Sequence, residues 1–194
     1  LKHQSYWNTS NITPGTEFME NLDHAIKMIL PELSQQYGKV TFSGHLDPGE
    51  GEHKFLKDIE DIVDPDRVIS IFSNDGDLIM LSFRFPEHNV KLLTQPNIAL
   101  DIVQELYSDV PFIYIDIRSV LSAIIMEFEL FDLHVSREQL AHDIVGLSLL
   151  GGNDFVIELP FTKMKYNDSM KILINGYKRV LECNSDDEWR LVVK

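Results

Sequence analysis

The sequence is nearly devoid of cysteine: Cys183 stands alone among 194 residues. That excludes an internal disulfide and fits a reducing compartment. Long apolar runs are also missing. The best candidate, "SVLSAIIMEFELF", is interrupted by glutamates and falls short of the ~18 residues that a membrane crossing needs. No secretory signal is legible, although the chain starts at Leu1 rather than at methionine. Positive charge is scarce, with 17 lysines and arginines against 31 aspartates and glutamates, a net charge of −14. This balance argues against a simple basic patch that grips nucleic acid. It leaves room for a metal-dependent enzyme, because hard cations need carboxylates.

What remains is globular. The chain is 44% hydrophobic and 25% charged, and is long enough for one substantial core. Residues 14–30 carry Phe18, Leu22, Ile26, Ile29 and Leu30 at helical spacing, opened by Pro14 and Thr16 and ended or kinked by Pro31. "KVTFSG" alternates like a strand. "HKFLKDIEDIV" reads as a short helix with Phe55, Leu56, Ile59 and Ile62 on one face. "RVISIFS" reads as a buried strand, "DLIMLSFRF" as a further strand or strand edge, and "VKLLT" and "FIYIDI" as two more. Helices are expected over 98–107, 118–131, 136–150 with Ser136 as cap, and 167–182, and "WRLVV" ends the chain as a strand. Strands alternating with helices, without a repeat, predict an α/β fold with a largely parallel central sheet flanked by helices.

Three short acidic loops punctuate that pattern. Glu50 and Glu52 straddle Gly51 in "PGEGEHK", Asp75 and Asp77 straddle Gly76 in "SNDGDLIML", and Asp154 follows a glycine pair in "LLGGNDFVIELP". For either pair alone, a solvated loop is the ordinary explanation. Contrast "DIEDIVDPD", from Asp58 to Asp66, which reads as a solvent-facing helix edge and turn. Like charges this close need shared protons or a cation. Glycosidases and aspartic proteases use one carboxylate pair, whereas five acids in three loops, with no Cys/His cluster, suit Mg²⁺ or Mn²⁺. Two such ions ~3.5–4 Å apart support phosphodiester hydrolysis, which leads among the readings. The intervening glycines are expected to let the backbone approach an ion closely.

"NITPGTEFM", "FSGHLDPGEGEHK", "NDGDLIML" and "GGNDFVIELP", in this order, resemble the signature blocks of the 5′→3′ exoribonucleases of the XRN class. "FPEHNVKLLTQ" and "FIYIDIRSVL" resemble the connecting pieces, so the likeness covers nearly all of residues 5–165. The resemblance implies a PIN/flap-nuclease-like domain over 1–194 and metal binding by Glu50, Glu52, Asp75, Asp77 and Asp154. It implies removal of mononucleotides from RNA bearing a 5′-monophosphate by a two-metal mechanism, and a cytoplasmic location with the nucleus as the alternative. Asn74 stands where the family commonly has leucine, Gly76 where it has alanine, and Ile157 and Glu158 where it has Pro-His. None of these removes a metal-binding acid.

Family members begin with a segment that supplies two further metal-binding aspartates and a basic pocket for the 5′-phosphate. Only ten residues precede "NITPGTEFM" here. The domain is therefore expected to be incomplete, its active site finished by an amino-terminal segment or a second chain. The competing reading is an inactive homologue or fragment that serves as an RNA-processing scaffold. Of the remaining residues, His45 and His53 are candidates for orienting a loop or an acid, and Lys54 reads as a solvent-facing lysine. Asp143 is either an outer acid or a helix-surface aspartate. Trp7 and Trp189 read as packing residues rather than base-stacking ones.

Overall fold

The computed structural model describes residues 7–96, 109–152, 156–157, 159–160 and 169–183. They divide into two compact units, Leu1–Asp61 and Ile62–Lys194. The expected helix over 98–107, the terminal strand, Asp154 and Trp189 lie outside the described residues.

In the first unit a single 3-10 turn, Thr9–Asn11, precedes helix α1, Glu17–Tyr37. Thr16 caps α1 by accepting from the amide of Met19 at 3.4 Å, and Glu17 and Glu20 place negative charge at the positive helix end. Trp7 packs edge-on against Phe18, ring centres 4.7 Å apart. Pro31 neither ends the helix nor stands at its boundary: α1 continues through it to Tyr37. Proline removes one helical donor and leaves the other hydrogen bonds available. Gly38, with φ of 90°, supplies the stop, its amide bonding to Ser34 O at 3.1 Å. "KVTFSG" forms no strand, because alternation supplies no partner and none pairs with it among the described residues. Helix α2 spans Gly51–Glu60 and buries Leu56 and Ile59.

The second unit contains strands β1 (Val68–Phe72), β2 (Asn89–Thr94) and β3 (Ile113–Asp116). Its helices are α3 (Asp77–Ser82), α4 (Ile117–Glu127), α5 (Arg137–Leu150) and α6 (Ser169–Cys183). The sheet order is β1-β2-β3. β1 and β2 are parallel, with Val68 opposite Asn89 and Phe72 opposite Leu93, whereas β2 and β3 are antiparallel, with Lys91 opposite Asp116. The fold is α/β as expected, and among the described residues the sheet is small and mixed, with one parallel pair and one antiparallel pair. A parallel pair needs a crossover, and α3 provides one between β1 and β2.

"DLIMLSFRF" is a helical turn, not a strand. Asp77–Ser82 are helical, with Leu78 and Ser82 one turn apart and both buried, and Phe83 and Phe85 in the turn that follows are buried as well. β1 is not buried either: Val68 and Phe72 are 56% and 62% exposed. Phe72, Leu93 and Tyr114 are cross-strand partners and share one open face, on which Phe72 meets Phe112 edge-on. The opposite face carries buried Val90 and Leu92, and α4, which contributes Ile117 and Leu121 to the core, packs against β2. α5 adds Leu140, Ala141, Ile144 and Leu147, and packs against α3 and α6.

Asp116 joins sheet to helix. Its Oδ1 caps α4 by accepting from Ser119 N at 2.9 Å, and its Oδ2 accepts from Lys91 Nζ at 2.9 Å. The Lys91 bond first, then the Ser119 amide, hold this carboxyl below its ordinary range. Ser136 caps α5 through Gln139 N at 3.1 Å, as its position predicts. Among the described residues no helix is long and apolar enough to cross a membrane.

Candidate functional site

The Asp75/Asp77 turn is made by the end of a strand. Ser73 N still bonds to Leu93 O at 3.1 Å, extending the β1–β2 ladder by one residue. Ser73 Oγ then accepts from Asp75 N at 3.1 Å, and Asp75 Oδ1 accepts from Asp77 N at 3.0 Å. Aspartate favours such local side-chain-to-backbone bonds, which turn the chain into the first residue of α3. Asn74 fixes the turn laterally: its Oδ1 accepts from Thr94 Oγ1 at 3.1 Å and from Gln95 N at 3.3 Å. Its Nδ2 donates to Gln95 Oε1 at 3.3 Å. Asp75 and Asp77 are both exposed, just beyond the carboxyl ends of the parallel strands β1 and β2. Sites in α/β sheets gather there.

The Glu50/Glu52 turn is made differently. Gly49 takes φ of 95°, which suits glycine, and Glu50 stands at the cap position of α2. The Glu50 side chain makes no capping bond, while its carbonyl accepts from His53 N and Lys54 N at 3.1 Å each. Both glutamates thus stand at the positive end of a helix. His53 is exposed, its Nδ1 4.0 Å from Glu50 Oε2. Lys54 does not simply face solvent, since its Nζ donates to Gly44 O at 2.9 Å. In the preceding loop, Asp47 Oδ2 accepts from Ser43 Oγ at 3.0 Å and Gly44 N at 2.8 Å, bonds that hold its carboxyl below the ordinary range.

Gly51 and Gly76 are not required by their backbone angles. Neither is among the positive-φ glycines, and a methyl group at either would meet nothing within 4 Å. The glycines that need φ > 0 near the acids are Gly49 and Gly152, the latter at 82° just beyond α5. Asp154, two residues further on, is outside the described residues.

Asp143 is fully buried, not a helix-surface residue. Tyr177 Oη donates to its Oδ2 at 2.6 Å and Gln139 Nε2 to its Oδ1 at 2.9 Å, tying α5 to α6. Burial, and then the bond to Asp143, push the Tyr177 hydroxyl well above its ordinary pKa. The sequence reading missed Asp23, which is 6% exposed on α1, and its contact with His45. Its only sequence signal is adjacency to the apolar face that Leu22 and Ile26 define.

The structure thus sets Asp75 beside Asp77 on one turn, and Glu50 with Glu52 on the first turn of α2. Among the described residues no group of three or more His, Cys, Asp or Glu is placed to hold a metal ion. The donor chemistry of the two turns, carboxylates without thiolates, fits a hard cation and not a soft one.

A family profile described as "XRN 5'-3' exonuclease N-terminus" matches residues 1–96. The 5'-3' exoribonuclease 2 of Debaryomyces hansenii is 28% identical over 93% of this chain, which spans 21% of that relative. The 5'-3' exoribonuclease 2 of Saccharomyces cerevisiae is 29% identical over 93% of the chain and 21% of its own length. The 5'-3' exoribonuclease 1 of Homo sapiens is 28% identical over 93% of the chain and 12% of its own length. The chain therefore spans about a fifth or less of these relatives.

Proposed function

The chain belongs to the XRN 5′-3′ exonuclease family, and on that premise we propose that it is part of a metal-dependent 5′→3′ exoribonuclease acting on 5′-monophosphorylated RNA. The observation that carries this reading is the retention, in family order, of Glu50, Glu52, Asp75, Asp77 and Asp154 within their signature blocks. We assign these five acids to binding two Mg²⁺ or Mn²⁺ ions. When bound, such ions supply an activated water and charge neutralisation at the leaving phosphate oxygen. The side chains contribute charge and aim. Asp75 and Asp77 are presented by a turn whose backbone is held by the sheet and by Asn74. The product is a mononucleotide, and no side-chain nucleophile takes part.

With a net charge of −14, the chain has little of its own with which to hold an RNA backbone. The basic surface that grips the RNA 5′ end therefore belongs, in this reading, to an amino-terminal segment or a second chain that completes the active site. The same acidity favours the alternative, an inactive homologue that serves as a scaffold in RNA processing.

The test uses the full-length protein, unchanged and with Asp75→Ala plus Asp77→Ala. It compares RNAs with a 5′-monophosphate, 5′-triphosphate or 5′-hydroxyl in Mg²⁺, Mn²⁺ or chelator. Metal-dependent loss of the monophosphate RNA alone, abolished in the double variant, is the expected result. Survival of all three RNAs with folded protein overturns the enzyme reading in favour of the scaffold.

A further inference from the structure

We propose that Asp23 and His45 are positioning residues for the Glu50/Glu52 turn, holding its loop against α1. This rests on the reading of Glu50 and Glu52 as metal-binding acids. The loop from Lys39 to Glu50 has no strand or helix to place it. Its fixed points are side chains. His45, inside this loop, is 2% exposed at its side chain, and its Nδ1 lies 3.1 Å from Oδ2 of the buried Asp23 in the second turn of α1. The contact is close without counting as a hydrogen bond, and His45 Nε2 is buried with no hydrogen-bond partner among the described residues. Burying an incompletely satisfied imidazole against a carboxylate costs stability, so the arrangement calls for a reason beyond packing.

Gly44 sharpens the point. A methyl group at this position would overlap the carboxylate of the buried Asp23, so one of the two would have to shift. Glycine is therefore required here for close approach, not for its backbone angles. On the other side of the loop, Lys54 of α2 holds the Gly44 carbonyl. Gly44 thus lies close against Asp23 of α1, and its carbonyl is held by Lys54 of α2. Six residues later the chain delivers Glu50, and eight residues later Glu52. Partners of this kind orient metal-binding side chains, and their loss lowers metal affinity without removing a ligand.

The experiment measures Mn²⁺ affinity by electron paramagnetic resonance on the full-length protein. Its variants are His45→Asn, Asp23→Asn, the exchange Asp23→His with His45→Asp, and Glu50→Gln with Glu52→Gln. We expect each single variant to weaken Mn²⁺ binding by roughly 10–100-fold. The exchange should recover much of the loss, a rescue that general loosening of the fold would not give. Wild-type affinity in both single variants, beside a loss in the glutamine pair, overturns the positioning role and leaves the metal reading intact. An exchange no better than the single variants also overturns it. Wild-type affinity in the glutamine pair overturns both proposals. Should the single variants fail to fold, hydrogen exchange on the unaltered protein decides. Amides of residues 43–50 protected equally with and without Mn²⁺ support the positioning role, and protection that arises only with Mn²⁺ overturns it.

Discussion

The two described acidic turns present carboxylates by opposite means. The Asp75/Asp77 turn grows out of β1: backbone pairing carries it to Ser73, local aspartate bonds shape it, and Asn74 pins it to the end of β2. The Glu50/Glu52 turn opens a helix after an irregular loop, and that loop is tied by side-chain contacts, His45 to Asp23 of α1 and Lys54 of α2 to the Gly44 carbonyl. A turn continuous with a sheet inherits its position from the ladder. A turn at the end of a loop must be placed by tertiary contacts, each of which one substitution can remove.

The largest effect is expected at the acids themselves. Asp75→Ala with Asp77→Ala should lower RNA degradation by at least ~10³-fold, since several kcal/mol of metal-supplied stabilisation are lost. The double variant also loses the Asp75 Oδ1 bond to Asp77 N, which should cost ~1 kcal/mol and lower the melting temperature modestly while the protein stays folded. Single-turnover degradation and a melting curve on the same samples check both halves.

Next comes the support behind the helix that leads to the third acidic loop. Tyr177→Phe removes a donor from the buried Asp143 carboxylate and should cost ~1–3 kcal/mol in urea unfolding. Tyr177 also predicts a pH effect. Its folded-state pKa is raised above the ordinary value of 10.0, so the neutral phenol stabilises the fold. That contribution is complete below the unfolded-state pKa and is lost as pH rises beyond it, from ~10 upward. Unfolding curves across the alkaline range should show this decline, and Tyr177→Phe should flatten it.

A smaller effect separates the two turns directly. Asn74→Ala removes the tie to Thr94 and Gln95 and should cost ~1 kcal/mol. Hydrogen exchange should rise at residues 74–77 and stay unchanged at 43–50. The smallest effect is a gain. Gly76→Ala, in ordinary helical backbone and open space, should leave Mn²⁺ affinity unchanged and add ~0.4–1 kcal/mol of stability.

Much of this was legible in the sequence, for reasons that differ by element. The caps Thr16 and Ser136 act locally, through a side chain and an amide three residues away, so the sequence alone locates them. β2 and β3 were readable because apolar β-formers sit between turn signals. "DLIMLSFRF" misled because a short apolar run fits both periods, and its first six residues, Asp77–Ser82, are helical. "KVTFSG" misled because a strand is defined by a partner that no local pattern reveals. Pro31 does not end α1, because proline deletes one helical bond and leaves the others, and Gly38 is the stop. The acids were found as pairs at element boundaries, but the roles of Gly51 and Gly76 were not. Those of Asp23, Gly44 and Tyr177 were hidden altogether, since each depends on what folding brings alongside.

The most direct measurement of the central claim is iron-directed cleavage of the full-length protein. Fe²⁺ with ascorbate and peroxide cuts a polypeptide beside the cation it replaces. Cuts are expected near residues 50–52 and 75–77, suppressed by excess Mg²⁺, with the second lost in Asp75→Ala plus Asp77→Ala. Cleavage that ignores Mg²⁺, or that spares both turns, would contradict the assignment of these acids to a metal centre.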